Sequence, residues 1–494
     1  MQAKGMNLFW WLLGRSLLAL AAALALPLGL SLWRGEHLTT AFLLPLLLAA
    51  GSGVLALMQG HGEENSRLRT LTVREGSWYI VAVWPIAALI SMLPYILAGI
   101  LAPVAAFFES MSALTTTGMS CLDFARENAG GPFSLALWHS LMSWLGAMNF
   151  VIIMVTVLPQ VSGCFGITLT ARQTMHFSPV WKRLRASARQ GVAVYMAFSL
   201  FAFILFYMAG LDPLHALLGA LTAISSGGDS SIYAFMIPHD AALELAAGVT
   251  MLLSGTSMLL CWQAFARRSL RLLWQDDELR TYLAVVGGAG LLLAVRLMRE
   301  QGLDLIEGLR YGLFQAVSFA SGNGFFSAPA WVWPDGDRLL LMLLAVIGGC
   351  MGSAAGGLHI VRLKVLLKLT KAELRHTLHP RMVVSVRIDG LPVPVKIVGR
   401  ILAFFFLYAV VLILFSILLS ATGLTLMSSL ALAVGCMTST GSVATLYGIG
   451  LGGVGVLPAW GQLVCCLLMV IGRVEIFSFL VLVDLGLHSL ARKW

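Results

Sequence analysis

Four short polar segments recur along an otherwise apolar chain. They are Thr115 to Gly118 (Thr-Thr-Thr-Gly), Ser225 to Gly228 (Ser-Ser-Gly-Gly), Gly322 to Gly324 (Gly-Asn-Gly) and Thr438 to Gly441 (Thr-Ser-Thr-Gly). Gly118, Gly227, Gly324 and Gly441 lie 109, 97 and 117 residues apart. Each segment follows an apolar stretch: about Pro103 to Leu114, Asp212-Pro213 to Ile224, Leu305 to Phe319, and Met427 to Met437. A helix of about twelve residues rises roughly 18 Å, against about 30 Å of bilayer hydrocarbon. Such a helix enters a membrane without crossing it. The repeating unit is therefore span, short helix, glycine loop, span. Two full spans per unit return the chain to the side it left. All four units then share one orientation, as parallel repeats do about an axis along the membrane normal.

Composition decides that there is a membrane. Of 494 residues, 59% are hydrophobic and 11% charged, and mean hydropathy is +0.88. A soluble globular protein of this size carries more charge. Long apolar stretches fall near 8–33, 37–59, 77–101, 133–158, 191–210, 241–264, 281–298, 339–361, 397–420 and 459–488. The expected fold is an all-α polytopic membrane protein with about ten transmembrane helices. Two N-terminal spans (1–66) precede four pore repeats, 67–186, 187–275, 276–385 and 386–494, around a pseudo-four-fold axis.

The net charge of +9 belongs to topology, not to nucleic acid. With Lys4 and the N-terminus cytoplasmic, five junctions and the C-terminus fall inside. Those regions hold Arg67, Arg69 and Arg74; Arg172, Lys182, Arg183, Arg185 and Arg189; Arg267, Arg268, Arg271 and Arg280; and a long group from Arg362 to Arg400. The opposite side carries Arg34, Arg126, Arg299 and Arg338 with acids beside them. This is the positive-inside bias. Ala21 to Ala25 mimic a signal cleavage site, but the apolar run exceeds a signal core of about 7–15 residues, so a retained span is expected. The seven cysteines form no CxxC and no Cys/His array, which indicates neither zinc nor a disulfide framework. No GxxxxGK motif is present, so nucleotide regulation needs a partner and no cofactor is expected on this chain.

The loops carry the chemistry. Irregular backbone at membrane depth persists only when buried or lining water. Glycine tolerates φ > 0 and lets carbonyls turn inward, and a ring of carbonyls replaces the hydration shell of a cation. Each short helix points its partially negative C-terminal end at its loop. Hydroxyls add oxygen ligands, and no Lys or Arg lies within the loops. Small residues also ease helix packing in membranes, which explains any one Thr-Gly or Ser-Gly pair. Four copies after four short helices point to a cation pore.

Several further motifs complete the pattern: Arg74-Glu75-Gly76, Trp84, Leu93-Pro94, Trp144-Leu145-Gly146, Asp276 to Arg280, Ile347 to Gly357, and Ile471 to Phe477. With them the whole chain resembles the Trk/Ktr potassium-transporter superfamily, most closely its ten-span TrkH type. The resemblance implies a K+-selective pore in a bacterial inner membrane. It also implies a homodimer and gating from the cytosol by a nucleotide-binding, TrkA-like subunit. Position by position, Thr116, Thr117 and Gly118; Ser225, Ser226 and Gly227; Asn323 and Gly324; and Ser439, Thr440 and Gly441 resemble the K+ filter. Gly348, Gly349, Gly352, Ser353, Gly356 and Gly357 resemble an intramembrane gate loop, with Arg473 as its pore-facing arginine. Glycine is poor in helix interiors by about 1 kcal/mol each, so that run should unwind. A charge in an apolar span is a functional candidate; the other reading pairs Arg473 with Glu475 or a neighbouring helix.

Some positions depart from the family. Asp229 stands at the expected filter mouth, either capping its loop or attracting cations. Asn323 replaces a Thr-rich run, Ser442-Val443 follows loop four, and His139 and Asn149 stand where Arg and Gly are expected. These leave two alternatives open: a less selective Na+/K+ pathway, or an ion-coupled cation symporter, for which Glu475 is the clearest mid-span acid.

Overall fold

The computed structural model describes residues 7–60, 73–122, 132–156, 180–228, 240–327, 333–379, 387–388, 391–449 and 453–474, with 476, 477, 479 and 480. Asp229, Glu475, Cys164, Arg67, Arg69, Arg172 and both charged termini lie outside the described residues.

Two long helices, α1 (Asn7–Arg34) and α2 (Thr39–Gly60), pair as a hairpin ahead of the repeats. The first unit holds α3 (Val73–Ser91), α4 (Leu93–Leu97), α5 (Pro103–Leu114) and α6 (Phe133–Thr156). The second holds α7 (Val180–Met208), α8 (Pro213–Ser225), α9 (Ala241–Ser254), α10 (Met258–Ala266) and α11 (Arg271–Gln275). The third holds α12 (Asp277–Gln301), α13 (Leu305–Ala320), α14 (Asp335–Ile347) and α15 (Ile360–Leu378). A two-residue antiparallel pairing follows, β1 (Arg387–Ile388) with β2 (Leu391–Pro392). The fourth unit holds α16 (Val395–Ser420), α17 (Leu426–Thr438), α18 (Ser442–Leu446), a short 3₁₀ turn and α19 (Ala459–Val474).

The short helices start where local chemistry sets them. Pro103 and Pro213 open α5 and α8, where a missing N–H costs nothing. Asp212 caps the His215 N–H, and Thr425 caps the Ser428 N–H of α17 at 3.2 Å. Each short helix packs on the last spanning element of the unit before it. α8 rests on α6, α13 on α9, α17 on α14, and α5 on α19. The last contact closes the circle of four units.

The protein is a multi-pass membrane protein. Seven described helices are long and apolar enough to cross a bilayer, or eight counting the bent pair α9 and α10. Apolar residues lie on both sides of the packed bundle: Leu47, Leu55, Phe406, Ile413 and Ile417 face outward, while Phe42, Phe108 and Trp138 are buried together with many serines and threonines. Lipid covers apolar side chains as readily as protein does, whereas polar groups need partners inside.

Two expected spans differ from continuous helices. The stretch 241–264 bends by 92° between α9 and α10. The stretch 339–361 stops at Gly348, whose φ of 70° and ψ of −171° suit only glycine. Arg362, counted from sequence with the basic surface, is only 2% exposed and lies over the Phe404 ring at 4.3 Å. It sits in the first turn of α15, before that helix reaches its exposed part at Lys371 and Arg375.

Candidate cation-conducting site

The four loops share one backbone device. An N–H just past each short helix bonds back five residues: Thr117 to the Ser112 carbonyl (2.8 Å), Gly227 to Thr222 (3.3 Å), Asn323 to Ser318 (3.0 Å) and Thr440 to Gly435 (2.9 Å). The residue before it is left-handed in all four, with φ of 57° at Thr116, 56° at Ser226, 80° at Gly322 and 54° at Ser439. Three of these carry side chains, for which that region is costly and persists only when surroundings impose it.

This geometry sets the register. Thr115-Thr116-Thr117-Gly118 aligns with Ser225-Ser226-Gly227-Gly228, Ser321-Gly322-Asn323-Gly324 and Thr438-Ser439-Thr440-Gly441. In loop two, Gly228 therefore occupies the place of Gly118, Gly324 and Gly441, and Gly227 precedes it. Two adjacent glycines make spacing alone ambiguous; the backbone bond from Gly227 removes the ambiguity. The aligned pattern begins with a fully buried hydroxyl in every loop: Thr115, Ser225, Ser321 and Thr438.

The loops touch in chain order and close on themselves. A methyl group added to Gly118 would collide with the Gly228 carbonyl, and one on Gly228 with the Asn323 carbonyl. One on Gly324 would strike Ser442, and one on Gly441 would stand 2.7 Å from the Thr117 carbonyl. Gly441 also donates its N–H to that carbonyl at 2.6 Å. Around this ring, Thr116 Oγ1, Thr438 Oγ1, Ser439 Oγ and Asn323 Oδ1 have no hydrogen-bond partner among the described residues. The Asn323 amide nitrogen donates to Ser254 Oγ (3.1 Å) and Ser321 Oγ (3.2 Å), which turns its oxygen into the open acceptor. Buried oxygens without donors are costly, and a cation or water relieves them.

Loops one and three have extra anchors. Glu109, nine residues before Gly118, accepts from Ser120 Oγ and the Cys121 N–H, each at 2.8 Å, and pairs with His139 Nδ1 at 3.1 Å. Gln315, nine before Gly324, donates to the Phe325 carbonyl at 3.0 Å. Six before the glycine, Ser112 accepts from the Met119 N–H (2.9 Å) and Ser318 donates to the Phe325 carbonyl (2.8 Å). The corresponding ninth-place residues of the other loops are Gly219 and Leu432. Sequence reasoning missed Glu109 and Gln315, though a polar residue inside an otherwise apolar short helix was the available signal. His139 thus serves as the partner of Glu109, and Asn149 accepts from Tyr79 at 3.3 Å. Glu109→Ala strands three donors, and breaking such a buried pair costs about 3–5 kcal/mol. A lowered thermal midpoint in detergent is expected, with Glu109→Gln losing less.

The break between α14 and α15 packs against this ring. A methyl on Gly356 would collide with the Thr438 carbonyl. The break also pairs with the bend between α9 and α10: Cys350 N to the Gly255 carbonyl (2.9 Å), Ala354 N to Ser254 (3.1 Å) and Met258 N to Gly352 (3.2 Å). The small, polar run Ser254-Gly255-Thr256-Ser257 marks that bend in the sequence. Glu278 Oε1 accepts the Met351 N–H at 2.7 Å. From the other side, Arg473 Nη1 donates to the Ala354 carbonyl at 3.2 Å, with its guanidinium 3.8 Å from the Phe150 ring centre.

A family model described as TrkH, cation transport protein, matches residues 52–489. The chain belongs to the TrkH family. Among its TrkH relatives, the Trk system potassium uptake protein TrkH of Halomonas elongata is 28% identical over 487 residues, covering 95% of this chain and 97% of that one. The protein of the same name from Escherichia coli K12 is 27% identical over 422 residues, 83% of this chain and 85% of that one. The fold matches the crystal structure of the potassium transporter TrkH from Vibrio parahaemolyticus with a TM-score of 0.83, at 24% identity over 98% of each chain. The four-loop ring, the broken helix and Arg473 form one contiguous assembly.

Proposed function

We propose that this chain takes up K+ through a channel-like pore along the axis of the four units. The single observation that carries the reading is the closed ring of loops, one to four and back to one, lined by buried oxygens. Its filter is Thr116 to Gly118, Ser225 to Gly228, Asn323 and Gly324, and Ser439 to Gly441. K+ is the transported ion, as in the names of the relatives. Gly348, Gly349, Gly352, Ser353, Gly356, Gly357 and Arg473 act as the gate. The units 67–186, 187–275, 276–385 and 386–494 are the four pore repeats. The protein works as a homodimer in the bacterial inner membrane with both termini cytoplasmic. A cytosolic nucleotide-binding subunit docks on the basic exposed part of α15, including Lys371 and Arg375.

Expression in cells lacking K+ uptake tests the reading. Growth in low potassium should be restored, and purified protein in liposomes should take up rubidium down a voltage gradient without ATP. Failure of both would sink it. A second reading, a less selective Na+/K+ pathway, is favoured by the amide oxygen of Asn323 where other loops place Thr or Gly. Equal inhibition of rubidium uptake by Na+ and K+ would support that reading over strict K+ selectivity.

A further inference from the structure

Beside Gly356 and Gly357 lies a cavity of about 10 Å³, bounded by α6, α15, α16, α17 and α19. That is the space open to the centre of a water-sized sphere, so the void itself takes one water or one small ion. Arg473, His359, Tyr408, Arg362, Phe150 and Phe404 contribute to its wall. Arg473 and His359 are 2% and 3% exposed. Arg473 spends Nη1 on the Ala354 carbonyl. Its Nε and Nη2, with His359 Nδ1 and the Tyr408 hydroxyl, have no hydrogen-bond partner among the described residues. Arg362 adds a second guanidinium to the same wall. No Asp or Glu lines the cavity among the described residues, and Glu475 lies outside them.

The wall thus offers donors and positive charge around a space of one small sphere. Guanidinium carries donors only, and its Nε and Nη2 face one edge as a parallel pair. A buried charge of this kind is stable only when paired. We propose that the cavity binds a single monatomic anion, chloride in ordinary media, on Arg473 Nε and Nη2, with the Tyr408 hydroxyl completing its shell. Binding itself requires no assumption about transport. Its consequence rests on the pore reading: the anion offsets the field of Arg473 that a cation passing the Gly348–Gly357 segment would otherwise meet.

Crystals of the full chain grown with bromide in place of chloride test the site directly. An anomalous peak in the cavity beside Arg473 is expected; a density that scatters as water only would overturn the proposal. In solution, chloride should raise the thermal midpoint relative to gluconate at equal ionic strength, by about 2 °C or more. Arg473→Gln should remove the difference, and Arg299→Gln, an exposed control, should keep it. If the wild-type protein shows no anion dependence, the proposal fails whatever the variants do. Rubidium flux should fall severalfold when chloride is replaced by gluconate. Bromide bound without any such flux change would support the site and count against Arg473 lying on the conduction path.

Discussion

Gly118→Ala is expected to abolish rubidium uptake while leaving a protein that still elutes as a folded species in detergent. Two costs coincide at this position. Gly118 holds φ of 71°, where an alanine loses about 1–2 kcal/mol. The added methyl also points at the Gly228 carbonyl of the neighbouring loop. That neighbour is backbone, which cannot swing aside as a side chain does, and overpacking of this kind costs about 1–3 kcal/mol. Together these reach about 2–5 kcal/mol, enough to displace loop one from the ring. Gly324→Ala has the same φ of 71° but meets the side chain of Ser442, so a smaller loss is expected. The same logic tests the register of loop two. Alanine at Gly227 would meet Ser143 Cβ at 2.8 Å, so adding Ser143→Gly should recover uptake. Alanine at Gly228 meets the Asn323 carbonyl, and no side-chain change should rescue it. Normal uptake by Gly118→Ala in proteoliposomes would remove the ring from the conduction path.

Much of this architecture follows from local signals. The short helices are legible because Pro103, Pro213, Asp212 and Thr425 mark their starts and polar runs mark their ends. The break after Ile347 is legible because glycine repeats there. Other features depend on contacts that no local pattern encodes. The register of loop two turns on a hydrogen bond from Gly227, beside a second glycine that spacing cannot rank. The bend at Gly255 has a local mark in the polar run Ser254 to Ser257, but hydropathy averages across α9 and α10 and sees one span. Arg362 reads as one more positive-inside residue until α15 is placed and its first turn proves buried. Glu109 and Gln315 fall in segments recognised for their apolar character, and their role appears only when the chain folds back from Ser120 and Phe325. Pairing between distant units, such as Cys350 with Gly255, follows from the circular order of the four units and not from any motif.

Glu278→Ala is expected to raise rubidium uptake by the purified chain in liposomes lacking any regulatory partner. The start of α12 fastens three things at once. Asp276 caps the helix through the Leu279 N–H at 2.7 Å. Asp277 faces Lys364 and Lys368 of α15 at 3.5 and 3.6 Å, and its carbonyl accepts from Lys364 Nζ at 2.7 Å. Glu278, 5% exposed, holds the Met351 N–H in the middle of the broken segment. The segment that packs against the ring and the basic helix that follows it are therefore tied to one helix end. A hydrogen bond to a charged group contributes about 1.5–3 kcal/mol. If the segment obstructs the path, losing that bond shifts the balance towards the open form by about 10- to 150-fold. Glu278→Gln keeps an acceptor without the charge and should give a smaller rise. Both variants should melt below the wild type, since the same bond contributes to stability. Asp335→Asn, changing an exposed acid at the start of α14, should leave uptake unchanged. Unchanged or reduced uptake by a well-folded Glu278→Ala would show that this tie does not restrain the path. A rise that also occurs when Lys364→Ala loosens α15 would instead place Asp277 and Glu278 on one route from the basic face to the ring.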